Sequence, residues 1–240
     1  MIRYDDAVEP ALRRALGYQN GADAVLDSRG WTVRCTPRCR TVMTSGVAGH
    51  TLFRKLHRGR GGEREWRRLG DLAAAGVAVP ARVCVARSRG ASLVVMRGVA
   101  GRCLEALLGE VAGDDPPARA AAQRYVEEQV LPLLSRLHRA GYCHRDFYTG
   151  HVFAQGLGAA AGAPVLIDVE RVFRPRWRRA RWRTKDLAAL HASLPRWFSG
   201  PARLRLLRDY LGSLGPMGRR LARAVDRKAG RMRQRRPRFG

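Results

Sequence analysis

Lysine is almost missing from this chain. Lys55, Lys185 and Lys228 are the only three, although Lys and Arg together number 46. Acidic residues are scarce too, at 20, so the formal charge is +26. Nearly all of that charge is arginine, set among abundant Ala and Gly. A field of this size suits an anionic partner: nucleic acid, anionic lipid or a phosphorylated sugar polymer. Genomic base composition would produce the same arginine excess, which makes the three lysines more informative than the arginines. Long apolar runs are absent as well. "LGAAAGAPVLI" is far too short for a membrane-spanning helix. "MIRYDDAVEP" lacks the basic region followed by an apolar core that marks a secretory signal. A soluble, cytoplasmic protein is expected. The five cysteines (Cys35, Cys39, Cys84, Cys103, Cys143) are odd in number and scattered. Cys35 and Cys39 flank "TPR" without a second pair at zinc-ribbon spacing, so reduced thiols are expected and not a metal site.

Hydrophobic content of 45% in 240 residues is enough to fill one sizeable domain or two small lobes. "WTVRC", "TVMTSG" and "HTLFRKL" read as strands separated by turns. "GGEREWRRLGDLAAAG" places Glu65, Leu69 and Leu72 at i, i+4 and i+7 before a stop at Gly76, which predicts a helix. "PARVCVARSRGASLVVMRGV" predicts two strands joined at Ser88-Arg89-Gly90. Beyond Gly98 the pattern turns helical. "GRCLEALLGEV" predicts a short helix, and "GDDPP" a polar break. "ARAAAQRYVEEQVLPLLSRLHRAG" carries Val126, Val130, Leu133, Leu134 and Leu137 on one face, with Pro132 expected to kink it. A Gly/Ala turn from Gly156 to Gly162 leads to the apolar "APVLIDV". "TKDLAALHASL", "PARLRLLRDYLGSL" and "PMGRRLARAVDRKAG" predict three further helices. "RKAGRMRQRRPRFG" reads as a disordered basic tail. The expected architecture is α+β and bilobal: residues 1–97 an antiparallel-sheet lobe with one helix, residues 98–240 a mostly helical lobe, and a cleft between them.

The stretch "GYCHRDFYTGHVF" raises the question of chemistry. Asp146, after His144 and Arg145, would be delivered by a buried helix to a short loop, as a catalytic base is. Asp168 ends "VLID", where a strand pushes one carboxylate out at its tip, placed to hold Mg²⁺ against ATP phosphates. Lys55, on a predicted strand upstream of the helix bearing Glu65, would aim a point charge at the α/β-phosphates, with the glutamate fixing its rotamer. Glu63 competes, but Glu65 shares a face with Leu69 and Leu72. A turn aspartate, a helix cap and a solvated lysine are the bland readings of the same residues. The order lysine, glutamate, aspartate, aspartate is that of phosphoryl-transfer machinery.

"HRDFYTGHVF", "VLIDVERV" and "RWRTKDLAAL", with "EREWRRL" and "AGVAVPARV" upstream, resemble the bacterial lipopolysaccharide core kinases. These are heptose and Kdo sugar kinases that share the protein-kinase-like fold. The likeness spans roughly Thr51 to Leu194. It implies that Asp146 is the base, Asp168 the Mg²⁺ ligand, Lys55 and Glu65 the ATP-orienting pair, and Asp186 a structural brace for the loop. His151 stands where ordinary protein kinases carry Asn, and Glu170 where this family often has His. Since Mg²⁺ prefers oxygen ligands, Glu170 is expected to help hold the second metal, while His151 contacts phosphate or orients Asp146. No GxGxxG loop is present; "TSGVAGH" is the nearest segment that could lie over phosphates. The arginine-crowded "RVFRPRWRRARWR" suits an acceptor bearing phosphates and carboxylates, with Trp177 and Trp182 stacking on sugar or meeting a membrane surface, or else packing in the core.

The expectation is an ATP- and Mg²⁺-dependent kinase acting on a sugar hydroxyl of the lipopolysaccharide inner core at the cytoplasmic membrane face. Its partners are an anionic glycolipid or sugar and, peripherally, an anionic membrane surface. A small-molecule or protein kinase of the same fold is the nearer alternative. A non-catalytic basic protein binding nucleic acid or membrane is the more distant one. Against that alternative, Lys55, Glu65, Asp146 and Asp168 are all competent residues, and no nucleic-acid motif with interleaved aromatics occurs.

Overall fold

A computed structural model of the chain describes residues 1–111, 115–158, 161–213 and 215–235. The chain divides into two compact units: residues 1–74 with 79–99, and residues 75–78 with 100–240.

The first unit is built on a six-stranded antiparallel sheet. In chain order its strands are β1 (Ile2–Tyr4), β2 (Trp31–Cys35), β3 (Cys39–Val47), β4 (His50–Arg58), β5 (Arg82–Ser88) and β6 (Ala91–Arg97). Their spatial order is β1-β5-β6-β4-β3-β2, which makes β4 an interior strand. Two tight hairpins set the register. Arg89-Gly90 joins β5 to β6, and Ala48-Gly49 joins β3 to β4, both residues of the second turn having positive φ (49° and 80°). Two central residues with φ > 0 give the turn whose twist matches paired strands.

Alternation along β4 sends its side chains to two different layers. Leu52 and Leu56 join a core with Val83, Ala86, Leu93 and Val95 and with Leu12, Leu16 and Ala24. The last three come from α1 (Pro10–Leu16) and α2 (Gly21–Leu26). Arg54, on that same face, pairs with Asp27, which also accepts a 2.6 Å bond from the Tyr18 hydroxyl. Phe53, Lys55 and His57 point the other way, where α3 (Gly61–Ala74) supplies Glu65. The strands and α3 match expectation, whereas β1, α1 and α2 are additions: the sheet carries three helices instead of one.

The second unit is mostly helical among its described residues. It contains α4 (Leu104–Gly109), α5 (Pro116–Tyr125), α6 (Leu131–Arg139), α7 (Arg179–Ser193), α8 (Gly200–Leu211) and α9 (Pro216–Arg235). A small sheet, β7 (Arg102–Cys103), β8 (Val152–Ala154) and β9 (Val165–Leu166), joins them. A π-helical turn over Val126–Val130 links α5 to α6, with the Leu131 N–H reaching the Val126 carbonyl. Pro132 brings no N–H of its own, and widening the preceding turn keeps the helix continuous where a kink was expected. α7 begins at Arg179, ahead of the expected Thr184. The helix α9 runs through most of the stretch read as a disordered tail; residues 236–240 lie outside the described residues, as do parts of the "GDDPP" break and the Gly156–Gly162 turn. Among the described residues no helix is long and apolar enough to cross a membrane.

Candidate active site

In the first unit Lys55 and Glu65 meet. The Lys55 ammonium lies 2.8 Å from Glu65 Oε1, with side-chain exposures of 13% and 1%. The second carboxylate oxygen of Glu65 takes a 3.0 Å bond from His57 Nε2, and His57 also lies 3.8 Å from Cys39 Sγ. Burial alone would lower the His57 imidazole, but its hydrogen bonds to Cys39 and Glu65 outweigh burial and raise it to about 9. Glu65 is held below its ordinary value by Lys55 and His57, against a strong opposing effect of burial. A buried carboxylate with a cation on each oxygen cannot rotate freely, so the Lys55 ammonium is fixed in direction. His57 escaped sequence reasoning. Its place two residues after Lys55, on the same strand face, was the available signal. The "TSGVAGH" segment is the bulged β3–β4 hairpin that leads directly into the strand of Lys55.

In the second unit α7 holds the loop 144–151 at both ends. The Asp186 carboxylate, with no exposure, accepts the backbone N–H of Arg145 (2.7 Å) and of His144 (2.8 Å). It also accepts a 3.1 Å bond from His138 Nε2, whose Nδ1 takes the Tyr210 hydroxyl at 2.7 Å. Two turns further along α7, Ser193 Oγ accepts the Thr149 N–H (2.9 Å). Asp186, which the resemblance casts as a brace, thus clamps the backbone just before Asp146. That clamp holds Arg145 at φ 75°; Asp168 is likewise left-handed at φ 55°. Such conformations cost a non-glycine residue about 1–3 kcal/mol and persist where the surroundings over-determine them, chiefly at functional sites.

His144 and Arg145, expected among the catalytic residues, lie under the loop. His144 is buried and donates from Nε2 to the Ile167 carbonyl at 3.1 Å, tying the loop to the residue before Asp168. Burial and the nearby His151 lower its pKa. The Arg145 guanidinium lies over the rings of Trp182 (5.4 Å) and Phe173 (5.7 Å). Both residues position the loop. Trp182, half-buried, stacks edge-on against the half-buried Phe173, whereas Trp177 is 70% exposed.

His151 stands between the two aspartates. Its Nδ1 donates to the Asp146 carbonyl (2.7 Å), and its Nε2 faces the Asp168 carboxylate at 3.8 Å. β8 and β9 pair directly behind it, which brings Asp146 and Asp168 to one place in the fold. The Asp146 carboxylate meets Arg171 at 2.6 Å and Lys185 at 3.3 Å. Sequence reading assigned neither cation. Lys185 was legible only as one of three lysines adjoining Asp186. Glu170 is exposed, on the 3₁₀ turn Val169–Arg171 that follows Asp168. Asp168 and Glu170 carry carboxylate oxygens, the ligand type Mg²⁺ prefers, while His151 carries an imidazole already engaged through Nδ1.

The lipopolysaccharide kinase (Kdo/WaaP) family model matches residues 32–210. Among curated proteins, the lipopolysaccharide core heptose(I) kinase WaaP of Pseudomonas aeruginosa is 28% identical over 261 residues, spanning 92% of this chain and 96% of that one. Among solved structures, WaaP in complex with acyl carrier protein superposes with a TM-score of 0.76 at 26% identity, covering 97% of this chain and 99% of that one. With more than half its length inside the family model and its loop, brace and buried Lys–Glu pair all present, the chain belongs to the lipopolysaccharide kinase (Kdo/WaaP) family.

Proposed function

We propose that this protein transfers the γ-phosphate of ATP to a sugar hydroxyl, heptose or Kdo, of the lipopolysaccharide inner core, at the cytoplasmic face of the membrane. Asp146 takes the proton of the attacking hydroxyl. Lys55, its direction fixed by Glu65, holds the α/β-phosphates. Asp168 and Glu170 would hold Mg²⁺, which would supply charge neutralisation at the phosphate oxygens. His151 keeps Asp146 and Asp168 in register through the loop backbone. The observation that carries the proposal is the loop itself: the fully buried Asp186 carboxylate clamps the backbone at His144 and Arg145, with Arg145 left-handed, directly before Asp146. A membrane-anchored, anionic acceptor suits a chain of charge +26 that meets its substrate at a surface. Acyl carrier protein, seen with WaaP, is a partner to examine here as well.

The test is transfer from labelled ATP, in Mg²⁺, to dephosphorylated core lipopolysaccharide and to a panel of small alcohols. Transfer to the lipopolysaccharide that falls about 10²–10⁴-fold in Asp146→Asn is expected of a lost general base. Transfer to small alcohols alone points to the other kinase reading. Tight, salt-sensitive nucleic-acid binding with no transfer overturns both.

A further inference from the structure

Two of the three lysines belong to one cluster. Arg181 and Lys185 are i, i+4 neighbours on α7, and Lys228 and Arg231 are i, i+3 neighbours on α9, so each pair shares a helix face. The two helices pack together, with Val225 and Ala229 of α9 fully buried. Partial burial, and then the charges of Arg231, Lys185 and Arg181, lower the Lys228 pKa. The carboxylates of the two helices do not relieve this repulsion: Asp186 is buried in the loop clamp, and Asp226 acts on Arg203. Among the described residues Arg181, Lys228 and Arg231 make no ion pair, and Lys185 pairs only with Asp146.

Lys185 and Lys228 are half-buried while Arg181 and Arg231 are exposed, and like charges gathered on one surface repel one another unless something anionic joins them. Their place is also specific, since Lys185 touches the candidate base. We propose that Arg181, Lys185, Lys228 and Arg231 form a binding site for a phosphate or carboxylate group carried by the acceptor, beside the hydroxyl that Asp146 activates. The site deepens the kinase reading and rests on Asp146 being the base. Lys228 and Arg231 hold the anionic group, and Lys185 spans from it to Asp146, so acceptors bearing such a group are oriented for attack while neutral ones are not.

Lys228→Gln in the full chain tests this. With core lipopolysaccharide retaining its phosphates, KM for the acceptor should rise about tenfold, the value of one charge-assisted hydrogen bond, with KM for ATP unchanged. With chemically dephosphorylated acceptor the effect should shrink, and Lys228→Arg should restore the wild-type KM. The same variant should melt at a higher temperature than wild type, because removing one of four crowded cations relieves repulsion. A lower melting temperature, or an equal KM change with both acceptors, overturns the proposal. Should the wild type transfer nothing to lipopolysaccharide, the kinase reading fails separately. Glucose 1-phosphate protecting wild type but not Lys228→Gln from thermal unfolding, with glucose inert, then still supports the anion site, and no protection by the sugar phosphate refutes it.

Discussion

At the scale of single residues, the account turns on which groups are held ionised and in what direction. His57 is the sharpest case. Its unfolded value is near 6.5, and in the fold it is raised to about 9, so the folded chain retains a proton the unfolded chain releases. Its contribution to stability is therefore complete below pH 6.5 and is lost as pH climbs through about 9. The denaturant midpoint should fall between pH 7 and 9.5 in wild type and change less in His57→Gln; parallel curves would show that the His57–Glu65 bond carries no such linkage. Glu170 offers the second residue test. Its carboxylate is exposed two residues beyond Asp168, so Glu170→Ala should leave folding intact and raise the Mg²⁺ concentration needed for half-maximal rate several-fold. Unchanged Mg²⁺ dependence would assign the second metal elsewhere. Neither Lys185 nor Arg171 at the Asp146 carboxylate was readable beforehand, because ion pairs between loop and helix have no fixed spacing in sequence. Asp146, Asp168, Lys55 and Glu65 were readable because strand ends and helix faces do have one.

At the scale of elements, two contacts decide where the site residues sit. α3 opens with Gly61-Gly62 against β4 and β6. A Cβ at Gly61 would come within 2.7–2.8 Å of the His57 ring. Gly61→Ala should therefore push His57 off Glu65 and destabilise the chain by about 1–3 kcal/mol, the usual cost of overpacking, measurable by urea titration; a neutral or stabilising effect would mean the helix shifts freely. α7 is the other. Asp186→Ala strands two buried N–H groups at His144 and Arg145, which should cost about 3 kcal/mol or more and depress transfer along with stability. Full activity in that variant would disconnect the clamp from the chemistry. The hairpins and α3 followed from alternation, helical spacing and turn residues. β1, α1 and α2, of three, seven and six residues, are too short to show a period, and they form because the sheet offers them an apolar face. Their punctuation was nonetheless present: Pro10 opens α1, Gly17 closes it in the left-handed conformation, and Asn20 with Asp23 makes a capping box on α2. α7 starts early for the opposite reason. Arginines in a first turn oppose the helix dipole, but Trp182, packed on Phe173 and Arg145, fixes that turn in place.

At the scale of the whole molecule, an arginine-rich chain of charge +26 could serve several anionic partners, and composition alone does not choose among them. What chooses is the company the charge keeps: a buried lysine–glutamate pair in one unit, and in the other two aspartates joined through His151 with cations gathered beside them. The most direct measurement is the structure of the product. Core lipopolysaccharide incubated with the protein, ATP and Mg²⁺ should yield, by mass spectrometry and ³¹P NMR of the isolated core, a single new phosphomonoester on a heptose or Kdo hydroxyl, absent when Asp146→Asn replaces wild type. A core recovered unchanged from active, folded protein, or a phosphate that forms equally well with Asp146→Asn, would contradict the account.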